Sequence, residues 1–416
     1  MGGKKWGYEF TLVTVGWFGM GMLMFDRWVI GYLLPMIAPE FQLSFAQVGL
    51  IWLVYAIPFA VMNFVGGGLS DRLGRNIVLI PSLLFFSLMS LVTGLTRSFP
   101  LLALVRGLVG AGAGPYDPTI VAAISEEAAP SRRGLMMGLW QSSVPLMGSF
   151  VGPIAATQLA LGLGDWRPVF FISFIPGLLI TGAVWAFLRE PPSVAARKAA
   201  RTERAGGQAI GVKEIFRSPN VPWLTIIGFV IMLLVGSIIS FGSLFFTQVT
   251  KFDMGTVGFI LSGLGIGSFL GTVVMPGLSD RLGRRGVLGT GLFAMAILTI
   301  LLTGLSAAGL MAPWLAFVFL FLIGFLGWGV LPIAISICPG EAVPLPVVGA
   351  TIGLIVGAGE ISGALMQVLG GGLADIYGLP VVLYLPAILT LIAGFLVLPM
   401  KETAPSLVKE ETVQVV

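Results

Sequence analysis

Polar residues in this chain never run far before an apolar stretch begins, and the apolar stretches are long. Twelve of them, at about 10–37, 46–69, 77–96, 100–125, 134–160, 168–188, 222–249, 254–278, 286–307, 311–338, 347–372 and 379–400, are separated by polar turns. The hydrocarbon core of a bilayer is ~30 Å thick and takes ~20 residues of apolar helix to cross. Runs of this length, without the period-two alternation of half-buried strands, read as spanning helices. The pattern predicts an all-α membrane protein with twelve transmembrane helices, so its first partner is the lipid bilayer.

Composition removes the other classes. Hydrophobic residues make up 56% of 416 positions and charged residues 10%, with a mean hydropathy of +1.00, which leaves too little polar surface for a soluble fold. The net charge of +4 is spread between the apolar runs, so nucleic acid has no basic footprint to bind. There is no His, and Cys338 is the only Cys, which argues against zinc, haem and disulfide chemistry. No nucleophile elbow, Walker-type loop or zinc-protease motif occurs, so neither an enzyme nor an ATP-driven pump is expected, and no cofactor is called for. Lys4 and Lys5 precede an apolar run that continues past Asp26 and Arg27. That run reads as an uncleaved first span rather than a signal peptide.

Charge also orients the spans. With the N-terminus inside, the cytoplasmic segments hold 18 of the 23 Lys and Arg residues. The opposite loops hold Arg97, Arg167 and Lys251, and two more lie within spans. The bias places both termini in the cytoplasm by the positive-inside rule. The longest polar stretch, 189–221, carries Arg197, Lys198, Arg201, Arg204, Lys213 and Arg217 at the middle of the chain. It reads as a cytoplasmic linker able to meet anionic headgroups. The octapeptide GLSDRLGR occurs at 68–75 and again, identically, at 277–284, each time after an even-numbered span. Two six-helix repeats of the same topology follow, at 1–188 and 222–400, with a tail at 401–416.

Five charges fall inside the predicted spans: Asp26, Arg27, Arg106, Asp117 and Glu360. Each costs ~2.5–3.5 kcal/mol at a helix centre on insertion scales, which marks them as functional candidates. The matching positions of the other repeat, around 237–240 and 324–332, are uncharged, so the scaffold itself does not require them. Asp26 and Arg27 project ~100° apart on a helix, and Arg106 and Asp117 stand ~16 Å apart along one axis. Each therefore needs a partner on another helix or in a cavity, and an interhelical network is expected. Their sum is minus one, which one bound proton neutralises.

The repeated octapeptide has the form G-x-L-x-D-R-x-G-R and resembles the signature loop of the major facilitator superfamily. Arg106-Gly-Leu-Val-Gly110-Ala-Gly112 and Asp165-Trp166-Arg167-Pro168 resemble further segments of that superfamily. The resemblance implies two six-helix bundles around a central cavity and transport by alternating access. It also implies a cytoplasmic gate built from Gly68, Asp71, Arg72, Gly74 and Arg75 with Asp280, Arg281 and Arg284. The segment FDRWVIGYLLPMIAPEFQLS followed by QVGLI is similar to the anion:cation symporters that carry sugar acids and other organic anions. By that resemblance Arg27 binds a substrate carboxylate and Asp26 takes part in proton coupling, with Arg106 as a second cationic contact. In that family the fourth helix carries a Glu where Ala113 stands here, and Asp117, one turn on, is placed to substitute. Glu360 in the eleventh span is a candidate second proton site. Trp28, Tyr32 and Tyr55 are candidates to line a ring-shaped pocket, which keeps an aromatic-acid symporter open. Gly148, Gly152 and Pro153 partly match the fifth-helix motif of proton-coupled exporters, so export stays open too. The expectation is a monomer in the plasma (cell inner) membrane that moves a small organic anion with a proton, sodium being the alternative ion.

Overall fold

The computed structural model describes residues 7–129, 132–189, 218–343, 345–404 and 407. Most of the basic linker, from 190 to 217, and the tail beyond 407 lie outside the described residues, as do Lys4 and Lys5. Among the described residues there are helices and no strands.

The first half runs α1 Tyr8–Glu40, α2 Phe45–Leu73, α3 Arg75–Thr93, α4 Phe99–Ala113, α5 Tyr116–Glu127, α6 Arg133–Gln141, α7 Gly152–Leu163 and α8 Arg167–Phe187. The second runs α9 Asn220–Gln248, α10 Met254–Leu282, α11 Arg284–Ala307, α12 Pro313–Pro332, α13 Cys338–Ala342, α14 Leu345–Tyr377 and α15 Val381–Leu396. Wide-turn π segments at Val144–Val151 and Ile333–Ile337 join α6 to α7 and α12 to α13. Ten of the resulting helices are long and apolar enough to cross a membrane, those joined by π segments being single spans. The other two of the twelve spans are the shorter α15 and the fourth, which breaks between α4 and α5. The break falls at Gly114 and Pro115, where proline has no N–H to continue the ladder.

The chain divides into two compact units, one from Met1–Leu43 and Leu50–Ala209, the other from Ser44–Gly49 and Ile210–Val416. The division near 209 falls inside the predicted linker. The short piece Ser44–Gly49 groups with the second unit, and the start of α2 within it is capped from α14. The Phe45 and Ala46 amides donate to the two oxygens of Asp375 at 2.8 and 3.0 Å, satisfying donors that a helix start leaves open.

Within each unit, glycine sets how close the helices come. A Cβ added at Gly263, Gly267 or Gly271 of α10 would lie 2.7, 2.0 or 2.0 Å from the carbonyl oxygens of Phe317, Phe321 and Phe325 on α12. Both series step by four residues, one face of each helix. In the first unit Gly110 and Gly114 meet the Tyr55 and Phe59 carbonyls of α2 in the same way, at 2.2 and 2.5 Å. Lipid gives apolar helices no reason to associate by hydrophobicity, so such backbone contact supplies the packing energy. The Gly-rich run 263–271 is therefore a packing face and not a nucleotide loop.

Two measurements check this account. Gly267→Ala forces a methyl into the Phe321 carbonyl and is expected to cost at least ~1–3 kcal/mol, whereas Gly286→Ala, which meets nothing within 4 Å inside α11, is expected to be neutral or to stabilise by up to ~1 kcal/mol. Thermal unfolding in detergent separates them. At the start of α10, Asp253 accepts from the Thr256 amide at 2.9 Å and from its hydroxyl at 2.5 Å, and these bonds hold its carboxyl below the usual range. Asp253→Ala is expected to cost ~1 kcal/mol. A depressed native value means that this stabilisation is complete above the ordinary carboxyl value of ~3.9 and fades as pH falls below it. The gap in melting temperature between wild type and variant should close in acid.

Candidate functional site

Three of the four span charges of the first unit, Asp26, Arg27 and Arg106, meet at α1, and Arg106 does the gathering. Asp26 and Arg106 are each about 1% exposed. The Arg106 guanidinium lies 3.5 Å from Asp26 Oδ2 and donates to the backbone carbonyls of Asp26 and Arg27, both at 3.2 Å. A helical carbonyl has a second lone pair beyond its ladder bond, so α1 accepts these donors without unwinding. Ser90 of α3 donates its hydroxyl to the other carboxylate oxygen, Oδ1. Asp26 is thus held from two helices, one on each oxygen, and pairs with Arg106 rather than with its neighbour Arg27.

Arg27 points elsewhere and is half-buried. Its guanidinium carbon sits 5.4 Å from the centre of the Tyr55 ring and 5.2 Å from that of Phe59. The two rings stack on each other, 5.7 Å between centres and 17° between planes. The Arg106 guanidinium lies 5.3 Å from the Tyr55 ring as well, so Tyr55 serves both cations. Cation-π contact uses the flat face of a guanidinium and leaves its in-plane N–H fork for oxygen acceptors.

The other candidates separate by role. The Tyr32 hydroxyl is buried and donates to the Gly148 carbonyl at 2.9 Å. An added Cβ at Gly148 would meet the Trp28 ring at 2.4 Å, and one at Gly152 the Tyr32 ring at 3.1 Å. The fifth-span glycines thus seat the aromatic side chains of α1. Asp117 is half-buried in the first turn of α5, just past the break in the fourth span. Glu360 belongs to the second unit, exposed on α14.

At the predicted gate, the sequence repeat is a repeat in space. Arg75 donates to Ser70 Oγ at 2.7 Å and Asp71 Oδ1 at 2.8 Å, and its other edge pairs with Glu126. Arg284 donates to Ser279 Oγ at 2.6 Å, pairs with Asp280 Oδ1 at 2.6 Å and meets Glu341 Oε1 at 2.8 Å. Gly74 and Gly283 have φ of 122° and 92°, backbone that a side chain would strain. Gly68 and Gly277 both face open space, while Arg72 and Arg281 are exposed. At the start of α8, Trp166 Nε1 donates to Glu40 Oε2 at 2.7 Å, and Arg167 pairs with the same carboxylate.

Four participants were absent from the sequence reading. Glu126 stands in the last turn of α5 and Glu341 in α13, 51 and 57 residues beyond Arg75 and Arg284, so a gapless alignment of the halves on 68–75 and 277–284 does not pair them. Glu40 stands just past the first predicted span and reads there as an ordinary loop acid. Ser90 gives no sequence signal, because serines in apolar helices commonly bond back to their own turn.

The sequence profile described as "Major Facilitator Superfamily" matches residues 16–366 and 246–414. The hexuronate transporter of Bacillus subtilis is 28% identical over 325 residues, 74% of this chain and 76% of that protein. The 3-(3-hydroxy-phenyl)propionate transporter of Escherichia coli is 27% identical over 59% of each chain. The gentisate transporter of Corynebacterium glutamicum is 26% identical over 71% of this chain and 67% of its own. In three dimensions the xylose transporter XylE from E. coli, inward open, superposes with a TM-score of 0.77 at 15% identity, covering 95% of this chain and 97% of its own. At that identity the likeness speaks for the fold alone. Twelve spans in two units, a duplicated G-x-L-x-D-R-x-G-R loop and a profile match over most of the chain agree: the chain belongs to the Major Facilitator Superfamily.

Proposed function

We propose that this membrane transporter is a proton-coupled symporter of a small organic anion, working by alternating access, with Arg27 as the anion contact and Asp26 as the proton carrier. The observation that carries the reading is the division of labour on α1. Arg106 is fully buried, and its two terminal nitrogens go to Asp26 and to backbone, so it serves as the internal counter-ion. Arg27 lies half-buried in mid-span with its guanidinium on a stacked aromatic pair, and a planar guanidinium is the group that suits a carboxylate. The span charges of the first unit balance, with Arg27 and Arg106 against Asp26 and Asp117. An arriving carboxylate upsets that balance by one charge and a proton on Asp26 restores it, which keeps the loaded span near neutral in a medium hostile to net charge. The relatives named for hexuronate, hydroxyphenylpropionate and gentisate all act on carboxylic acids by those names, and they support an acid as cargo.

Within that class two kinds of acid compete. The hexuronate relative favours a sugar acid, and the stacked Tyr55 and Phe59 rings beside Arg27 favour an aromatic one. Both termini lie in the cytoplasm on this reading. The Arg75 and Arg284 clusters at the ends of α3 and α11 serve as the gate, with Glu126 and Glu341 added to its members.

Uptake into proteoliposomes tests the proposal. Labelled glucuronate, gentisate and 3-(3-hydroxyphenyl)propionate are offered with and without an inward proton gradient, and one of them should accumulate only with the gradient. Accumulation indifferent to the gradient, or confined to an imposed sodium gradient, would overturn the proton assignment. Arg27→Ala should abolish uptake while leaving a folded protein, with Arg97→Ala as the inert control; normal uptake by the Arg27 variant removes it from the site. Arg106→Ala strands a buried carboxylate and is expected to cost ~3–5 kcal/mol, seen as loss of monodisperse protein. The double variant Arg106→Met, Asp26→Asn should recover folding without recovering gradient-driven uptake.

A further inference from the structure

Asp26 is shut away from water, yet a proton carrier has to be satisfied both with its proton and without it. Arg106 meets only half of that requirement, because a guanidinium donates and never accepts. It suits the ionised carboxylate and offers the acid's O–H nothing. The group on the other oxygen has no such limit. Ser90 Oγ, on the last residue of the Ser87-Leu-Met-Ser90 segment of α3 and about 1% exposed, already donates to Asp26 Oδ1. A hydroxyl rotates, so it donates to a carboxylate and accepts from a carboxylic acid without any heavy atom moving.

We propose that Ser90 is the positioning residue of the proton site, a hydroxyl that reverses its hydrogen bond as Asp26 gains and loses its proton. The inference rests on the reading of Asp26 as proton carrier and goes beyond it in naming what makes the carrier reversible. The proton adds to a carboxylate oxygen and returns to water from it, and no heavy-atom bond forms or breaks. Arg106 keeps its two bonds to the Asp26 and Arg27 carbonyls in both states, so α1 stays anchored while the carboxyl titrates. The surroundings leave this task to Ser90. α4 brings Arg106 against Asp26, and Arg27 follows on α1 itself with its cation on the Tyr55 and Phe59 rings. Of the helices packed on α1, α5 carries Asp117 in its first turn and Glu126 and Glu127 in its last, while the Arg133 of α6 and the Arg167 of α8 are the first residues of their helices.

The test separates coupling from binding. Exchange of external for internal acid runs through the loaded protein in both directions and needs no deprotonation, whereas gradient-driven accumulation needs a full proton cycle. Ser90→Ala deprives the ionised carboxylate of a donor, so accumulation of the acid that wild type takes up, glucuronate or 3-(3-hydroxyphenyl)propionate, should fall about tenfold or more, the scale of one hydrogen bond to a charged group. Exchange of the same acid should continue at the wild-type rate. Ser90→Thr keeps the hydroxyl and should restore accumulation. A second readout needs no substrate: the infrared carboxyl band that Asp26→Asn removes should move to higher frequency in Ser90→Ala and return in Ser90→Thr. Wild-type accumulation together with an unmoved band in Ser90→Ala would overturn the inference, as would loss of exchange along with accumulation. If the wild-type protein itself ignores a proton gradient, the symport reading fails, and the infrared band still decides whether Ser90 serves Asp26.

Discussion

A guanidinium sealed inside a membrane protein needs acceptors for its donors, and Arg106 finds two of them on the backbone of α1. Those two carbonyl bonds fix α1 against α4 at the level of Asp26. With that level set, the other placements follow along the helix. Asp26 faces Arg106 and Ser90, and Arg27, one residue on, is carried round to the Tyr55 and Phe59 rings. Tyr32 and Trp28 come down on the glycines of the fifth span. Without Arg106 the carboxylate of Asp26 would be a stranded charge, costing several kcal/mol in a medium that cannot solvate it.

The two halves share a scaffold and differ in chemistry. Each has its Ser-Asp-Arg-Glu cluster, Ser70, Asp71, Arg75 and Glu126 in one and Ser279, Asp280, Arg284 and Glu341 in the other. Each has a glycine in the left-handed region where the second span of the half turns into the third. In mid-span the likeness ends. Where the first unit has its buried ion pair, the seventh span carries Ser237, whose hydroxyl simply returns to the Leu233 carbonyl one turn back.

Much of this was open to a reader of the sequence, because span length and duplicated motifs are one-dimensional facts. Long apolar runs dictate helices in lipid, and an identical octapeptide 209 positions apart dictates repeats. The sequence also showed that Asp26 and Arg27, adjacent on one helix, could not satisfy each other. What it could not supply was the choice of partner, since that depends on which helices touch and at what depth. Arg106 was open to reading as a ligand for substrate as readily as a counter-ion, and only its burial and its bonds to the α1 carbonyls distinguish the two. The break of the fourth span at Pro115, the π segment at Val144–Val151 and the capture of the α2 start by Asp375 are tertiary outcomes of the same kind.

The contact between α10 and α12 bears on how force travels through the second unit. Each glycine of 263, 267 and 271 sits on a carbonyl, and the residues between them carry side chains or face other neighbours. A slip of one residue would drive a side chain into backbone, and the next comparable register lies four residues away, ~6 Å of travel. Thermal agitation does not bridge such a gap in a packed pair of helices. The two spans are therefore keyed like the teeth of a rack, and a push on the end of one is delivered to the other without shear.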